Sequence, residues 1–346
     1  MTRAGALLRG LGAALAKLVM DLIRASLLLT AFGSAALSLV ALGGHFSRLL
    51  DIVAHFALPG LIVSLFALIV GMFVSRRDNR SSLYLAAVGL VSWGLLTFPD
   101  YAARLTTRWV PAGGETVKII QFNVWFNNQD LHGTTAWILD QDPDVLVLEE
   151  VTGGSERILS DLIGRYPYVH SCADPSPCST MILSKAKPLA SGGHILPSGP
   201  ANLTWITLAG SGGPYTVLGV HQSWPYPITD QESQVSSTKV TMQKFDSGNL
   251  IVAGDFNSTP WSVAFHKQDR IIGLSRRTHA LPTFPARLFQ HKTFKFPAPL
   301  LPIDHIYAGK NWQTVKVERG PRLGSDHYPL VVVLRRTERA AGAVGP

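Results

Sequence analysis

Hydrophobic positions follow two different patterns that meet near residue 110. Upstream, three almost unbroken apolar stretches cover about 22–43, 53–74 and 82–98, each close to the roughly 20 residues that a helix needs to cross a hydrocarbon core. They lack polar faces, which favours membrane spans over a buried helical domain. The late start of the first stretch and the spans that follow it argue against a cleaved signal peptide. Residues 5–20 read as an interfacial amphipathic helix ahead of the first span. Downstream the apolar runs shorten to strand length and alternate with polar loops. Strands are predicted at Val117–Trp125, Val145–Leu148, Thr180–Ser184, Leu203–Leu208, Thr216–Gln222, Leu250–Ala253, His305–Ala308, Thr314–Val317 and Leu330–Leu334. Helices are predicted at about 131–141, 154–164 and 229–246, the last capped by Thr229-Asp230. Strands and helices mixed in this way predict an α/β fold, a four-layer sandwich of two packed mixed sheets flanked by helices.

The domain plan that follows is a membrane region over 1–110, a linker at 111–116 (Pro111-Ala-Gly-Gly-Glu-Thr), one domain over 117–337 and a loose tail at 338–346. Charge supports that division. The net charge is +8, but residues 1–110 hold ten basic against four acidic residues, and the remainder twenty-one against nineteen. The basic balance therefore belongs mainly to the membrane region and does not point to nucleic acid. Arg3, Arg9, Lys17 and Arg24 precede the first span, and Arg76, Arg77 and Arg80 crowd the loop between the second and third. The positive-inside rule then places the N-terminus in the cytoplasm, and an odd number of spans carries the following domain to the other side. In a bacterial cell that is an inner-membrane, multi-pass protein with a periplasmic domain. The two cysteines, Cys172 and Cys178, flank one short loop; they are either a disulfide, which an oxidising compartment would permit, or two free thiols.

Polar chemistry gathers at the ends of the apolar runs. Leu250-Ile-Val-Ala-Gly-Asp255-Phe-Asn257 is one case, and Pro302-Ile-Asp304-His305 with Gly324-Ser-Asp326-His327-Tyr-Pro is another. Asn123 and Glu150 end two earlier runs. Hard oxygen ligands and imidazoles on rigid strand ends suit a divalent metal and a phosphate group. Each piece has an ordinary reading too: Asn123 as a strand-end hydrogen bonder, Glu150 as a helix-start acid, Gly-Asp-Phe-Asn as a turn. His305 reads as structural, and His221 stands open between catalytic and merely buried.

Taken in order, Ile119-Ile-Gln-Phe-Asn123-Val-Trp, Asp144-Val-Leu-Val-Leu-Glu149-Glu150-Val, Val220-His221, Gly254-Asp255-Phe-Asn257, Ile303-Asp304-His305 and Gly324-Ser-Asp326-His327 resemble the endonuclease/exonuclease/phosphatase superfamily, the DNase I-like fold, over about residues 117–335. The resemblance implies a hydrolase of phosphate esters that uses Mg²⁺, with Mn²⁺ as a substitute. It implies that Asn123, Glu150 and Asp326 hold the metal and that Asp255 activates water. Asn257 and His221 would face the phosphate, and His327, its ring fixed by Asp304, would stabilise the phosphate or protonate the leaving oxygen. Two departures stand out. Glu149 occupies the place where the family usually has Gln, which adds a carboxylate near the metal that either tightens binding or is harmlessly solvated, and the Gly219-Val-His221-Gln-Ser-Trp-Pro segment differs from the abasic-site repair branch.

The substrate side is open. A segment rich in base (Lys267, Arg270, Arg276, Arg277, Arg287, Lys292 and Lys295, with His266, His279 and His291) lies between the Asp255 and Asp304 motifs. It could grip a polynucleotide backbone or a phospholipid headgroup, or be a solvated loop. Phe284, Phe289, Phe294 and Phe296 are interleaved with it. The competing class is a catalytically silent module that binds a phosphorylated partner. Oligomeric state is not legible.

Overall fold

The computed structural model describes residues 3–75, 80–172, 178–197, 201–287 and 297–337, and the side chains from residue 10 onward. Arg76 and Arg77, the side chains of Arg3 and Arg9, Phe289, His291, Lys292, Phe294, Lys295, Phe296 and the tail 338–346 lie outside the described residues. The chain divides into two compact units, one reaching Pro99 and including Trp261–Val263, the other starting at Asp100.

The first unit contains α1 (Arg3–Leu42), α2 (Arg48–Asp51), α3 (Ala57–Val74) and most of α4 (Ser81–Thr106). Three of its helical segments are long and apolar enough to cross a membrane. Their large side chains face outward, with Leu29 71%, Phe66 63% and Phe73 83% exposed, the reverse of a water-soluble bundle. Apart from Leu27 and Trp93, most of what they bury is small, including Ala31, Ala35, Ala67, Ala86 and Ser64. Small residues let helix backbones approach where lipid offers no hydrophobic drive for association. Trp93 lies against Gly60, where a Cβ would collide with the indole, and its Nε1 donates to Ser34 Oγ at 3.1 Å. Ser34 Oγ also meets Ser64 Oγ at 2.8 Å. The segment 5–20 is helical, but it continues into the first span as one 40-residue helix, about 60 Å long at 1.5 Å per residue. α4 also outlasts its predicted end, running through Pro99 to Thr106.

The second unit holds two six-stranded sheets. The first is built from β1 (Thr116–Asn123), β2 (Val145–Glu149), β3 (Tyr168–His170), β4 (Met181–Ser184), β11 (Trp312–Arg319) and β12 (Leu330–Arg336) in the order β11-β12-β1-β2-β4-β3. The second has β5 (Ala190–Ile195), β6 (Asn202–Leu208), β7 (Tyr215–His221), β8 (Leu250–Asp255), β9 (Ser275–Arg276) and β10 (Asp304–Ala308) in the order β5-β6-β7-β8-β10-β9. Only β1/β2 and β7/β8 pair in parallel; the other neighbours are antiparallel. Central strands are covered on both faces, so they read as continuous apolar runs. Val117, Ile119, Val145 and Val147 pack between the sheets against Val217, Ile251, Ala253 and Ile306. On the outer face of the first sheet, Ile120, Phe122, Leu146 and Leu148 pack under α5 (Leu131–Gln141) and α6 (Arg157–Leu162) through Ile138, Ile158 and Leu162. On the outer face of the second, Leu218, Val220, Leu250 and Val252 pack under α7 (Ile228–Met242) and α8 (Val263–Ile272) through Met242, Phe265 and Ile272. The four-layer mixed sandwich is the expected one.

The differences are local. β3, β5 and β9 have no apolar run to announce them; β5 is Ala-Ser-Gly-Gly-His-Ile at a sheet edge. The predicted helix at 154–164 is a 3₁₀ turn, Gly153–Glu156, followed by α6, and a Thr152/Ser155 capping box starts it. α7 ends at Met242, and the residue at its cap is Pro227 rather than Thr229. Cys172 and Cys178 form a disulfide, with Cα atoms 5.3 Å apart.

One glycine controls the approach to the site. A Cβ on Gly254 would run into the carbonyl of Val220, its partner across the parallel β7/β8 pair. Gly254→Ala is expected to force β7 and β8 apart one residue before Asp255 and to cost about 3 kcal/mol or more. Thermal denaturation of the detergent-solubilised protein checks this.

Candidate active site

The fold brings the polar strand ends to one edge of the sandwich. β1 ends at Asn123 opposite Glu149 of β2. β7 ends at His221 opposite Asp255 of β8, and Asp304, which opens the antiparallel β10, lies opposite Asp255 from the other side. Asp326 and His327 arrive on the turn before β12, held by Ser325, whose Oγ donates to the Asn123 carbonyl at 2.7 Å and accepts from His327 N at 3.0 Å. Three residues at these ends, Trp125 (φ 60°), Glu150 (φ 56°) and Asn257 (φ 50°), adopt left-handed backbone conformations. For Trp and Glu such conformations are costly, and they persist where surrounding contacts over-determine them.

The side chains connect in one network. Asp304 Oδ2 is 2.8 Å from His327 Nδ1, and His327 Nε2 is 3.7 Å from Asp255 Oδ2. His221 Nε2 approaches the same oxygen at 3.9 Å, while its buried Nδ1 has no partner. Asn123 Nδ2 donates to Asp255 Oδ2 at 3.1 Å and to Glu150 Oε1 at 2.9 Å. Asp255 Oδ1 accepts from Asn257 N at 2.8 Å, and Asn257 Nδ2 donates one hydrogen to Gln222 O at 2.8 Å. All eight residues anticipated from the sequence are therefore at this edge. His305 points away: its Nε2 lies 3.1 Å from Ser258 O, its ring packs on Phe265, and burial lowers its pKa to about 3.

Burial makes the electrostatics strong. Asp255 is pushed up to about 8, by burial first and by the charge of Asp304 second. His327 is pulled the other way: burial disfavours its charge, but the Asp304 and Asp255 carboxylates outweigh burial and hold it well above the usual imidazole range. Asp304 is kept below its ordinary value because His327 offsets the cost of burial. His221 is lowered by burial. The site therefore holds a charged His327–Asp304 pair beside a carboxyl group that titrates near neutrality.

The donor set fits a divalent cation. Asp255, Asp304 and His327 can present ligand atoms within 4.8 Å of one another, but Asp304 and His327 are spent on each other. Asp326, by contrast, is raised by burial and by the charge of Glu150 nearby. Among the described residues no lysine or arginine forms an ion pair with either carboxylate. Two carboxylates that act on each other electrostatically, with Asn123 in hydrogen-bond contact with one of them, are a hard-ligand set for a divalent cation. Asn123 Oδ1 accepts from Trp125 N at 3.0 Å and keeps a second lone pair for a metal.

Several contributors escaped the sequence reading. Gln121 Nε2 donates to Asp304 Oδ1 at 2.8 Å and to Glu149 Oε2 at 3.0 Å. Glu149 is thus neither solvated nor a charge at the metal: it is fully buried, and burial, followed by the charges of Asp304 and Asp255, drives its pKa well above 4.5. Phe284 packs its ring 5.1 Å from that of His327. The described part of the basic segment is partly committed to structure. Arg276 is buried on Asp100 at 2.8 Å, and Arg277 Nη2 donates to the carbonyls of Ala308, Gly309 and Trp312.

The sequence profile of the Endonuclease/Exonuclease/phosphatase family matches residues 120–327. The chain belongs to this family. Family membership makes it an enzyme of the phosphoester-hydrolase class. No curated protein matches it in sequence. Among solved structures it is similar to an endonuclease/exonuclease/phosphatase from Beutenbergia cavernae, with 20% identity, a TM-score of 0.50 and coverage of 65% of this chain and 72% of that one. It is similar to sphingomyelinase C from Streptomyces griseocarneus, with 15% identity, a TM-score of 0.50 and coverage of 64% and 99%. It is also similar to D. rerio TDP2 complexed with single-strand DNA product, with 16% identity, a TM-score of 0.51 and coverage of 64% and 100%. At these identities the likenesses establish the shared fold.

Glu149 gives a pH test. Its folded pKa lies above the 4.5 of an unfolded glutamate, so between those values the native state holds one proton more than the unfolded state. Stability then falls as pH rises through that window, by up to about 1.4 kcal/mol per pH unit from this group. In metal-free buffer Glu149→Gln is expected to flatten the decline above pH 4.5. Denaturant titration at a series of pH values measures the slope.

Proposed function

We propose that this protein is a membrane-anchored, Mg²⁺-dependent phosphodiesterase whose catalytic domain works outside the cytoplasm. The observation that carries the reading is the line Asp304–His327–Asp255, with His327 bonded at 2.8 Å on one side and 3.7 Å from the Asp255 carboxylate on the other. Asn123, Glu150 and Asp326 would hold Mg²⁺, which when bound neutralises phosphate charge and stabilises the leaving oxygen. Mn²⁺ would serve in its place.

Asp255 is the base. A carboxyl that titrates at about 8 is matched to proton transfer from water near neutral pH. It is aimed by Asn123 Nδ2 and by the backbone N–H of Asn257. His327, kept protonated by Asp304, donates to a phosphate oxygen or to the departing oxygen, and His221 and the remaining Nδ2 hydrogen of Asn257 complete the phosphate contacts. Asp304 fixes the ring through Nδ1, which leaves Nε2 to face the substrate.

Two substrate readings remain within the phosphodiester class, a nucleic-acid backbone and a phospholipid headgroup. The burial of Arg276 on Asp100 and the commitment of the partly buried Arg277 to backbone carbonyls favour the headgroup, because they withdraw two cations from any surface that could track a polynucleotide. Membrane spans would keep such a substrate close.

Asp255→Asn is expected to lower kcat about 10²–10⁴-fold with the protein still folded. The assay is hydrolysis of a bis-aryl phosphodiester with Mg²⁺, abolished by chelation and restored by Mg²⁺ or Mn²⁺. No turnover by the metal-loaded wild type would leave a silent phosphate-binding module instead. Cleavage of single-stranded DNA would select the nuclease, and phosphate-ester release from vesicle headgroups the lipid enzyme. Orientation is a separate prediction: a periplasm-dependent reporter fused after residue 346 is expected to be active, and a cytoplasm-dependent one silent.

A further inference from the structure

Asp100 lies on α4, just past the third apolar stretch and at the first residue of the catalytic unit. Its carboxylate is buried and takes three donors: Arg276 Nη1 at 2.8 Å, the His279 ring at 2.9 Å through Nδ1, and Ala280 N at 2.7 Å. Arg276 reaches Asp269 Oδ2 at 3.5 Å as well, and Tyr307 donates to Asp269 Oδ1 at 2.7 Å. Nothing in the proposed chemistry uses this cluster.

What the cluster holds is the start of a strap that ends on the catalytic residues. Ala280 takes a left-handed conformation, φ 47°, with its N–H fixed on Asp100. Leu281-Pro-Thr-Phe-Pro-Ala286 follows. Pro282 and Pro285 fix φ at their own positions and restrict the residue before each, so little freedom is left to absorb a displacement. Arg319 Nη1 holds the Pro282 carbonyl at 3.0 Å. Beyond it, Thr283 O accepts from Tyr328 N at 2.9 Å, and Ala286 N donates to Asp326 O at 2.6 Å. Between these two bonds the Phe284 ring packs 5.1 Å from the His327 ring. One short, stiff segment therefore connects the carboxylate on α4 to the residues on both sides of the catalytic imidazole.

We propose that Asp100 is a positioning residue for His327, acting through the Ala280–Ala286 strap, so that the hold of this carboxylate on the start of the strap sets the activity of the site. The proposal rests on the phosphodiesterase reading for its catalytic consequence but not for the coupling itself. With Asp100 neutral, Arg276 keeps its buried charge and loses its nearest partner, and the first fixed point of the strap is released.

The experiment uses the full chain in detergent. Asp100→Asn is compared with wild type by hydrogen-exchange mass spectrometry and by Mg²⁺-dependent turnover, at a temperature where circular dichroism shows both fully folded. The double variant Asp100→Asn/Arg276→Gln removes the unpaired charge, which keeps a folded comparison if the single variant is unstable. The expected result is at least tenfold faster exchange in both 278–286 and 325–328, with kcat down about 10- to 100-fold and KM within twofold. Asp100→Glu is expected to recover most of the loss. Faster exchange confined to α4 and 276–280, with kcat per folded molecule within twofold of wild type, would overturn the proposal. If the wild type has no turnover, the phosphodiesterase reading fails, and the exchange pattern alone decides the coupling.

Discussion

Two aspartates facing each other across a strand pair set the terms for the rest of this site. Asp255 and Asp304 are register partners on β8 and β10, and both are almost wholly buried. Two like charges about 5 Å apart at an effective dielectric constant of 20 repel by roughly 3 kcal/mol. The fold does not separate them; it inserts donors. His327 lies between them, Asn123 donates to one, and Gln121 donates to the other. The result is unequal: Asp304 is held below its ordinary value on His327, and Asp255, raised by burial first and by the charge of Asp304 second, reaches about 8. Two carboxyl groups of different strengths thus arise from one crowded pair.

That origin explains which parts of the site were legible in the sequence. Asp255, Asp304, Asp326 and His327 ended or bracketed apolar runs, where a polar residue interrupts a pattern and is easily seen. Gln121 lies inside such a run, at an inward position between Ile119 and Asn123, and a single amide there resembles a tolerated core polar group. Its role depends on Glu149 and on Asp304, 183 positions away, and no local signal encodes that contact. Glu149 shows the opposite error. Read as a carboxylate near the metal, it is instead fully buried as the last residue of β2, where burial raises its pKa, while Glu150 just beyond the strand turns to Asn123.

The fold was legible to the same depth and failed for the same reason. Central strands carry their own signature, because burial on both faces demands apolar residues at every position. The edge strands β3, β5 and β9 do not: β5 forms because β6 offers an unpaired edge along Asn202–Leu208, and its glycines and serine contribute little propensity. α4 is the clearest case. Pro99 marks a local stop, yet the helix runs on to Thr106, because Asp100 and Arg104 have partners in the catalytic unit, Arg276 and the Val317 carbonyl. Tertiary contacts override the proline's local preference.

The same accounting changes what the basic character of the chain means. The excess of positive charge sits mostly before residue 110, and the cluster after Asp255 looked like its counterpart on the substrate side. The structure uses two of those arginines elsewhere. Arg276 neutralises Asp100 and Asp269, and Arg277 saturates three carbonyls around the β10–β11 turn. A guanidinium held on acceptors inside the protein is not presented to a phosphate backbone, so it does not contribute to salt-dependent affinity for nucleic acid. What is left to meet a phosphoester is the opening itself. Trp224 stands there, 58% exposed, its ring 6.3 Å from that of Phe284, which packs on His327. That places an exposed aromatic surface one ring removed from His327, which offers shape rather than charge at the opening.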